Sequence, residues 1–458
     1  MGTMRTLSAE ERTRLLGIQE VPRLLARLSG PAIAGMLMNS MYNLVDTIFV
    51  GQGPGTLALA ALAVCFPIQL FMLAVAQTVG IGSASIISRS LGAGNKDYAE
   101  RVAGSSFATA AVMAVVLAAV GISLLDPLLR LFGASDQVLP YGRRYLSVIL
   151  PGGVLFAVAV SSHNLVRSEG NTKIAMFSMM IGAGTNIALD PVMIFGLDMG
   201  IRGAAVATVI GQACSFLYLM RYFARGSSTL RIRASNLRPR LAIASRALRI
   251  GSASFARVSA GSLMAIAVNN TIMDYGENVH LAVLGVAQRL LIFLLMPMFG
   301  LVQGLQPVVG YNYGARLYAR VRRAMKLSLG AGVCYMLLWL VVLEVFPHQA
   351  LSLFSSDQEL LKVGAPILRI LVVTFPLIPF QVVGASFFQA LGKALPALVL
   401  SASRRALFIV PLALLLPSFM GLRGVWFSFP IADVLATALT LSWFGHEARL
   451  MRRKERSR

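Results

Sequence analysis

Charged residues are scarce in this sequence of 458 residues. Asp, Glu, Lys and Arg together make up 13% of the chain, whereas 57% of its residues are hydrophobic. Soluble globular domains carry about 25% charged residues. The composition therefore excludes water as the main solvent of the folded chain, and the apolar runs leave no room for a separate soluble domain.

Cysteine and histidine are also rare, with three and four residues respectively. Cys65, Cys214 and Cys334 each lie within an apolar run, so neither a disulfide framework nor a metal-ligand spacing is visible. The sequence contains no HExxH, GxSxG, P-loop or CxxC motif. We expect no enzyme activity, no cofactor and no bound metal apart from a Na⁺ ion.

Acidic residues are also few. The sequence has 19 Asp and Glu but 41 Lys and Arg, which gives a net charge of +22. A soluble protein with this charge would suggest a nucleic-acid partner. Here the cations occupy the short segments between apolar runs, which is the positive-inside pattern of membrane proteins. We therefore expect the lipid bilayer as partner, no nucleic acid, and both termini on the cytoplasmic side of a cell inner membrane.

The apolar runs are numerous, and each is long enough for one bilayer crossing of about 20 residues. The predicted spans lie near residues 28–51, 56–83, 102–125, 141–167, 172–196, 201–223, 248–275, 280–306, 324–346, 360–391, 394–417 and 422–443. They predict an all-α integral membrane protein of twelve helices. The expected divisions are a cytoplasmic N-terminal segment (1–27), an N-lobe with helices 1–6 (28–224), a cytoplasmic linker (225–247), a C-lobe with helices 7–12 (248–446) and a basic cytoplasmic tail (447–458).

The two sets of six spans resemble each other. Residues 199–203, MGIRG, return 221 residues later as MGLRG, and Gly82 returns 222 residues later as Gly304. Because six spans per copy is an even number, both copies insert with the same orientation, as two six-helix bundles related by a parallel repeat. The substrate route should run between them.

Polar side chains inside the spans indicate a functional site, because a charge at mid-bilayer costs about 2.5–3.5 kcal/mol. Asp46 shares a helix face with Asn39 and Asn43, and Asn186 shares one with Asp190. Two carboxylates among amide and hydroxyl oxygens suit a shared proton or a Na⁺ ion. We predict an H⁺ or Na⁺ coupling site formed by Asp46, Asn164, Asn186, Asp190 and Thr208.

Plainer interpretations stay open for these residues. Asp190 precedes Pro191 near the outer end of its span, where a solvated end residue is common, and Asp46 is compatible with a structural role. Thr208 or Asn164 alone would be typical of interhelical hydrogen bonding. At the repeat distance the second copy lacks the acidic pair, which favours an ion site specific to the first.

Two further sets of residues complete the prediction. Pro31 lies fifteen residues before Asp46 and predicts a hinge in the first helix. Other polar residues in or near the spans are candidates for the cavity lining: Asn39, Asn43, Gln212, Arg257, Gln288, Arg289, Gln303 and Gln381.

Four short motifs resemble those of the multidrug and toxic compound extrusion (MATE) transporters, over essentially the whole chain. They follow Pro31 in the family's order: NLVDTIFVG (43–51), LGAG (91–94), RSEGN (167–171) and NIALDP (186–191). The chain looks most like the prokaryotic DinF/MepA-like branch, in which a first-helix acid works with residues of helices four to six. The NorM-like branch carries an acidic residue in helix seven, where this chain has SFAR (254–257) with no carboxylate, which argues against a C-lobe cation site.

The resemblance implies a V-shaped pair of bundles that exports amphipathic, often cationic drugs or metabolites by alternating access, in antiport with H⁺ or Na⁺. We expect the protein to be a monomer. One alternative is a flippase for a lipid-linked or polysaccharide precursor, which should show a basic cavity and often extra helices. A non-transporting membrane scaffold or receptor is another, but it would not need buried carboxylates. Efflux from proteoliposomes under an imposed ion gradient discriminates between them.

Overall fold

The computed structural model describes residues 8–52, 55–355 and 357–456, without the side chains of Asn43, Leu44 and Gln52. This part of the chain is helical and contains no strand. Twelve of its helical segments are long and apolar enough to cross a membrane. The prediction of an all-α protein with twelve spans is therefore confirmed.

A short helix, α1, precedes the first six spans, which form the N-lobe. The helices are α1 (Ala9–Ile18), α2 (Val21–Gln52), α3 (Thr56–Gly92), α4 (Lys96–Ser123), α5 (Leu125–Leu131), α6 (Leu139–Ser168), α7 (Thr172–Pro191) and α8 (Gly200–Ala224). A π-helical turn, Val192–Gly196, extends α7. Helix α2 continues through Pro31 without interruption.

The linker that follows contains only a 3₁₀ turn, Ala234–Asn236, and the C-lobe then repeats the six spans with more interruptions. Its helices are α9 (Leu241–Tyr275), α10 (Asn278–Gly314), α11 (Tyr318–Val345), α12 (Pro347–Ser352), α13 (Gln358–Val372), α14 (Ile378–Ala390), α15 (Ala394–Ala402), α16 (Val410–Leu415), α17 (Pro417–Met420) and α18 (Leu422–Arg456). A 3₁₀ turn, Phe375–Leu377, joins α13 to α14, and a π-helical segment, Ser403–Ile409, joins α15 to α16. Helix α18 takes in residues 447–456, so most of the basic tail is helical.

The two lobes pack against each other through the helix pairs α2 with α10 and α3 with α9. Glycines allow these crossings, since a Cβ at Gly82 would collide with the carbonyl group of Ala247, and one at Gly304 would collide with Ser29. Gly82 and Gly304 are equivalent positions of the repeat. The sequence repeat thus marks matching backbone contacts between the lobes.

A second crossing, between the ends of α3 and α10, defines one side of the molecule. Here a Cβ at Gly92 would collide with the carbonyl of Tyr311, and one at Gly314 would collide with that of Arg89. The linker and α1 lie on this same side, which we call the linker side. Both lobes are therefore in close contact there.

Helix α1 spans this contact. It begins with a capping box, in which Glu11 N–H donates to Ser8 Oγ at 3.2 Å and Ser8 N–H donates to Glu11 Oε2 at 2.7 Å. Thr13 Oγ1 donates to the backbone oxygen of Glu169 in the N-lobe at 3.2 Å. On the other lobe, Asn312 Nδ2 donates to the backbone oxygen of Leu16 at 2.8 Å. The helix thereby ties the two lobes together.

The carboxylate of Glu169, in the turn after α6, is buried beside α1. It accepts hydrogen bonds from Tyr222 Oη at 3.1 Å and from the backbone N–H of Thr229 at 2.6 Å, and Ser228 Oγ lies 2.9 Å from both of its oxygens. Burial raises the pKa of Glu169 to about 7, although these donors favour its charged form. The linker is thus anchored to the N-lobe by a titratable group.

Candidate functional site

A cavity of about 450 Å³ lies between the two lobes. Helices α2, α3, α6, α7 and α8 line it from the N-lobe, and α9, α10, α14 and the π-helical segment line it from the C-lobe. This volume falls within the range of small-molecule sites, which is about 300–1,000 Å³. Apolar and methionine side chains share the wall with amides and arginines, so the cavity suits an amphipathic ligand.

Four of the five predicted ion-site residues meet at one edge of this cavity. The carboxyl groups of Asp46 on α2 and Asp190 on α7 lie close enough to interact through a side-chain hydrogen bond. Asn186 Nδ2 lies 3.3 Å from both Asp190 Oδ1 and Thr208 Oγ1. Asn186, Asp190 and Thr208 are buried. The helical spacing read from the sequence therefore corresponds to a real cluster.

The oxygens of this cluster are not all satisfied. Asp46 Oδ1, Asp190 Oδ2 and Asn186 Oδ1 are buried and have no hydrogen-bond partner among the described residues. Ionised carboxylates only accept hydrogen bonds, so two of them in contact need a proton or a cation between them. An all-oxygen set of this kind fits either H⁺ or a small hard cation such as Na⁺.

Asn164, the fifth predicted member, lies apart from that cluster. Its Nδ2 donates to the backbone oxygen of Val160 at 2.8 Å and to Gln77 Oε1 at 3.3 Å. It lines the same cavity, and a Cβ at Gly80 would press on its amide. Asn164 is therefore a cavity-lining residue and not a member of the oxygen cluster.

The predicted lining residues divide into two groups. Asn39, Gln212, Arg257 and Gln303 line the cavity. Gln288 and Arg289, which were also predicted to line it, do not, and the side chain of Arg289 is exposed. The side chain of Asn43 lies outside the described part of the structure.

Gln381 belongs to a separate polar cluster in the C-lobe core, around Asp433. The Asp433 carboxylate is fully buried and forms an ion pair with Arg404. It also accepts hydrogen bonds from Thr374 Oγ1 at 2.7 Å and Gln381 Nε2 at 3.3 Å. This acid is therefore neutralised within its own lobe.

Several cavity residues were not predicted from the sequence, above all Arg167, Arg405 and Tyr42. Arg404 and Arg405 are consecutive arginines inside an apolar span, and the cost of inserting such charges was the signal available. Tyr42 is one helical turn before Asp46, and this i, i+4 spacing was the signal available for it.

Comparison with known proteins identifies the family. The MatE family model matches residues 31–192 and again residues 254–415, which correspond to the two lobes. Multidrug export protein MepA of Staphylococcus haemolyticus is 27% identical over 416 residues, covering 90% of each chain. MepA of Staphylococcus aureus strain MSSA476 is 26% identical over 408 residues, covering 88% of this chain and 89% of that one.

A solved structure is similar over nearly the whole fold. It is described as the outward-facing conformation of a multidrug resistance MATE family transporter of the MOP superfamily, with a TM-score of 0.91 and 26% identity. The alignment covers 98% of this chain and 100% of that one. The chain belongs to the MatE family, as a multi-pass membrane transporter of its prokaryotic, MepA-like branch and not an enzyme.

Proposed function

We propose that this protein exports amphipathic compounds, cationic drugs or metabolites among them, by alternating access in antiport with H⁺ or Na⁺. The observation that carries the proposal is the contact between Asp46 and Asp190 at the edge of the interlobe cavity. A pair of carboxylates without hydrogen-bond partners can bind an ion and release it again in each transport cycle. The names of the MepA relatives support export of drugs.

The proposed orientation places both termini and the linker side in the cytoplasm of a prokaryotic cell, with the protein in the inner membrane. The excess of Lys and Arg in the segments on that side supports this orientation. Because the lobes touch at the linker side, the cavity in this arrangement is closed toward the cytoplasm. It corresponds to the outward-facing step of the cycle.

The coupling step follows from charge. When Asp46 and Asp190 take up a proton or Na⁺ from outside, their mutual repulsion falls and α2 can move relative to α7. Pro31 lacks a backbone N–H and weakens α2 at one point, which makes it the proposed hinge. Bending there would narrow the cavity, which Asn39 and Tyr42 line from the same helix, and expel the cargo.

The test is efflux of a fluorescent amphipathic cation from proteoliposomes under an imposed pH gradient, and separately under a Na⁺ gradient. Asp46→Asn should abolish gradient-driven export and leave the protein folded. Asp198→Asn is the matched control, because Asp198 is exposed beyond the end of α7 and its φ of 49° suits asparagine. Full gradient-driven export by Asp46→Asn would overturn the proposal.

The charge balance predicts the voltage dependence. An entering proton gains about 2.3 kcal/mol per 100 mV of membrane potential and about 1.36 kcal/mol per pH unit. If one monovalent cation leaves as one proton enters, no net charge crosses. Only the pH gradient then drives export, so clamping the potential to zero should leave the rate unchanged.

A further inference from the structure

We propose that the cavity recognises an anionic group on its cargo, held by Arg257 and Arg405 of the C-lobe and Arg167 of the N-lobe. This inference rests on the transport function proposed above and specifies the chemical class of substrate that the same cavity takes. The ligand class is an amphiphile that carries a carboxylate, sulfonate or phosphate.

The first observation is an imbalance of charge on the cavity wall. Three arginines line the cavity, whereas none of its described lining residues is an aspartate or glutamate. None of the ion pairs formed between described residues includes any of the three. An unpaired charge inside the membrane is costly and usually marks a binding pathway.

The second observation is that guanidinium donors are left unsatisfied. Arg167 is only 6% exposed, yet its Nε is buried and lacks a hydrogen-bond partner within the described chain. Arg257 Nη2 is also buried and has no hydrogen-bond partner among the described residues. Removing such donors from water without a partner costs free energy, which a bound anion would recover.

The third observation concerns how Arg405 is held. The π-helical segment Ser403–Ile409 carries two neighbouring arginines that go to different places. Arg404 pairs with Asp433 inside the C-lobe, while Arg405 reaches the cavity and donates through Nη1 to the backbone oxygen of Arg257 at 3.2 Å. Gly261 leaves room for it, since a Cβ there would collide with Nη1. Arg405 is thus positioned but not neutralised.

The rest of the wall supplies the environment that an amphiphile needs. Met296, Phe299 and Val302 of α10 line the same cavity and suit an apolar tail. Guanidinium groups bind carboxylate, sulfonate and phosphate through two parallel N–H donors, which is geometry that a lysine does not offer. The cavity can therefore bind the charged head and the apolar body of one amphiphile at the same time.

Binding is tested with two probes of one scaffold: 11-(dansylamino)undecanoate, an anion, and the matching dansyl alkylamine, a cation. The full chain is placed in phosphatidylcholine nanodiscs and titrated against empty nanodiscs. Arg257→Gln and Arg405→Gln should each weaken binding of the anion by about 10-fold or more, as for loss of a hydrogen bond to a charged group. Binding of the cation should stay constant or tighten.

Arg202→Gln is the matched control, because Arg202 is exposed at the start of α8 and does not line the cavity. Unchanged anion affinity in Arg257→Gln would overturn the inference. Arg405→Gln also removes a backbone hydrogen bond, so a folding defect in that variant leaves Arg257→Gln to decide. Competition by added phosphatidylglycerol that disappears in Arg257→Gln would identify a lipid headgroup as the source of the anion, and absence of competition would identify a soluble amphiphile.

Transport separates this inference from the function on which it rests. Export of a monovalent anion in exchange for one entering proton moves two charges inward, so it should accelerate with an inside-negative potential, unlike export of a cation. If the cation is exported and the anion does not bind, the inference fails and the proposed function stands. If the anion binds and no gradient drives export of either probe, the proposed function fails and the anion site stands.

Discussion

Asp433 in the C-lobe and the pair Asp46 and Asp190 in the N-lobe are acids inside membrane-spanning helices, but their surroundings are opposite in kind. Asp433 has an arginine partner and two further donors. Asp46 and Asp190 face each other, and each keeps an oxygen without a partner in the described structure. A neutralised acid holds one conformation, whereas an unsatisfied pair depends on what binds to it. The two halves of the repeat therefore share a scaffold but differ in how their buried acids are paired.

The largest effect is expected when Arg404, the partner of the C-lobe acid Asp433, is replaced. This substitution is therefore the strongest test of the comparison. Arg404→Gln leaves a buried carboxylate uncompensated, and we expect a loss of about 3–5 kcal/mol in stability. Arg404→Gln combined with Asp433→Asn should recover most of that loss. Thermal unfolding in detergent measures both, with the exposed Arg423→Gln as control. Equal stability of Arg404→Gln and Arg423→Gln would contradict the structural role.

Glu169 sharpens the comparison, because it is an N-lobe acid held largely by neutral donors. Its raised pKa means that the folded chain binds this proton more tightly than the unfolded chain does. Stability should therefore fall as pH rises from about 4.5 to about 7, by on the order of 3 kcal/mol, and then level off.

Unfolding midpoints recorded across that range provide the measurement. Glu169→Gln should remove this part of the pH dependence, while Glu359→Gln, at an exposed position, should retain it. A wild-type curve and a Glu169→Gln curve that run parallel from pH 4.5 to pH 7 would show that Glu169 is not the group responsible.

The glycines at the lobe crossing compare the halves at equivalent positions. Gly82→Ala and Gly304→Ala each force apart two backbones that touch, so each should cost about 1–3 kcal/mol. Gly330→Ala has open space around its Cβ and lies within α11, where it should stabilise by about 0.5–1 kcal/mol. Thermal midpoints give the ranking, and a loss at only one of the two crossings would show that the halves are not mechanically equivalent.

The smallest effect on stability is expected at the proposed ion site. Asp46→Asn removes one of two like charges in contact, so we expect a change of less than about 1 kcal/mol, in contrast to its effect on transport. Chemical denaturation of the purified variant checks this. A loss comparable to that of Arg404→Gln would mean that Asp46 is as structural as Asp433.

The apolar runs predicted the membrane crossings well, and the differences fall mainly on one side. The prediction ended the second span at residue 83 and the last at residue 443, whereas α3 runs to Gly92 and α18 to Arg456. Charged and polar residues lower the hydropathy of a segment, but the helix continues through them in both cases. Some of these helix ends lie where the two lobes meet. The hydropathy of the sequence did not predict them.

The candidate site was predictable where spacing along one helix decided it, as for Asn186 and Asp190. Contacts between distant segments were not, because no local pattern reports them. The pairing of Asp433 with Arg404 depends on how α18 packs against the π-helical segment, and the position of Arg405 depends on the same irregular turn. The sequence thus predicted which polar residues lie inside the spans, but not which residues they contact.

Helix α1 has a practical consequence for anyone who handles this protein. Its two ends contact different lobes, so a bulky fusion joined just ahead of Ser8 would lie against the contact between the lobes on the linker side, which opens in the proposed cycle. Labels and affinity tags are better attached after α18, whose last turn is exposed. Conversely, a binder raised against α1 in its docked position would hold the two lobes together, and would offer a way to arrest the proposed transport cycle without touching the cavity.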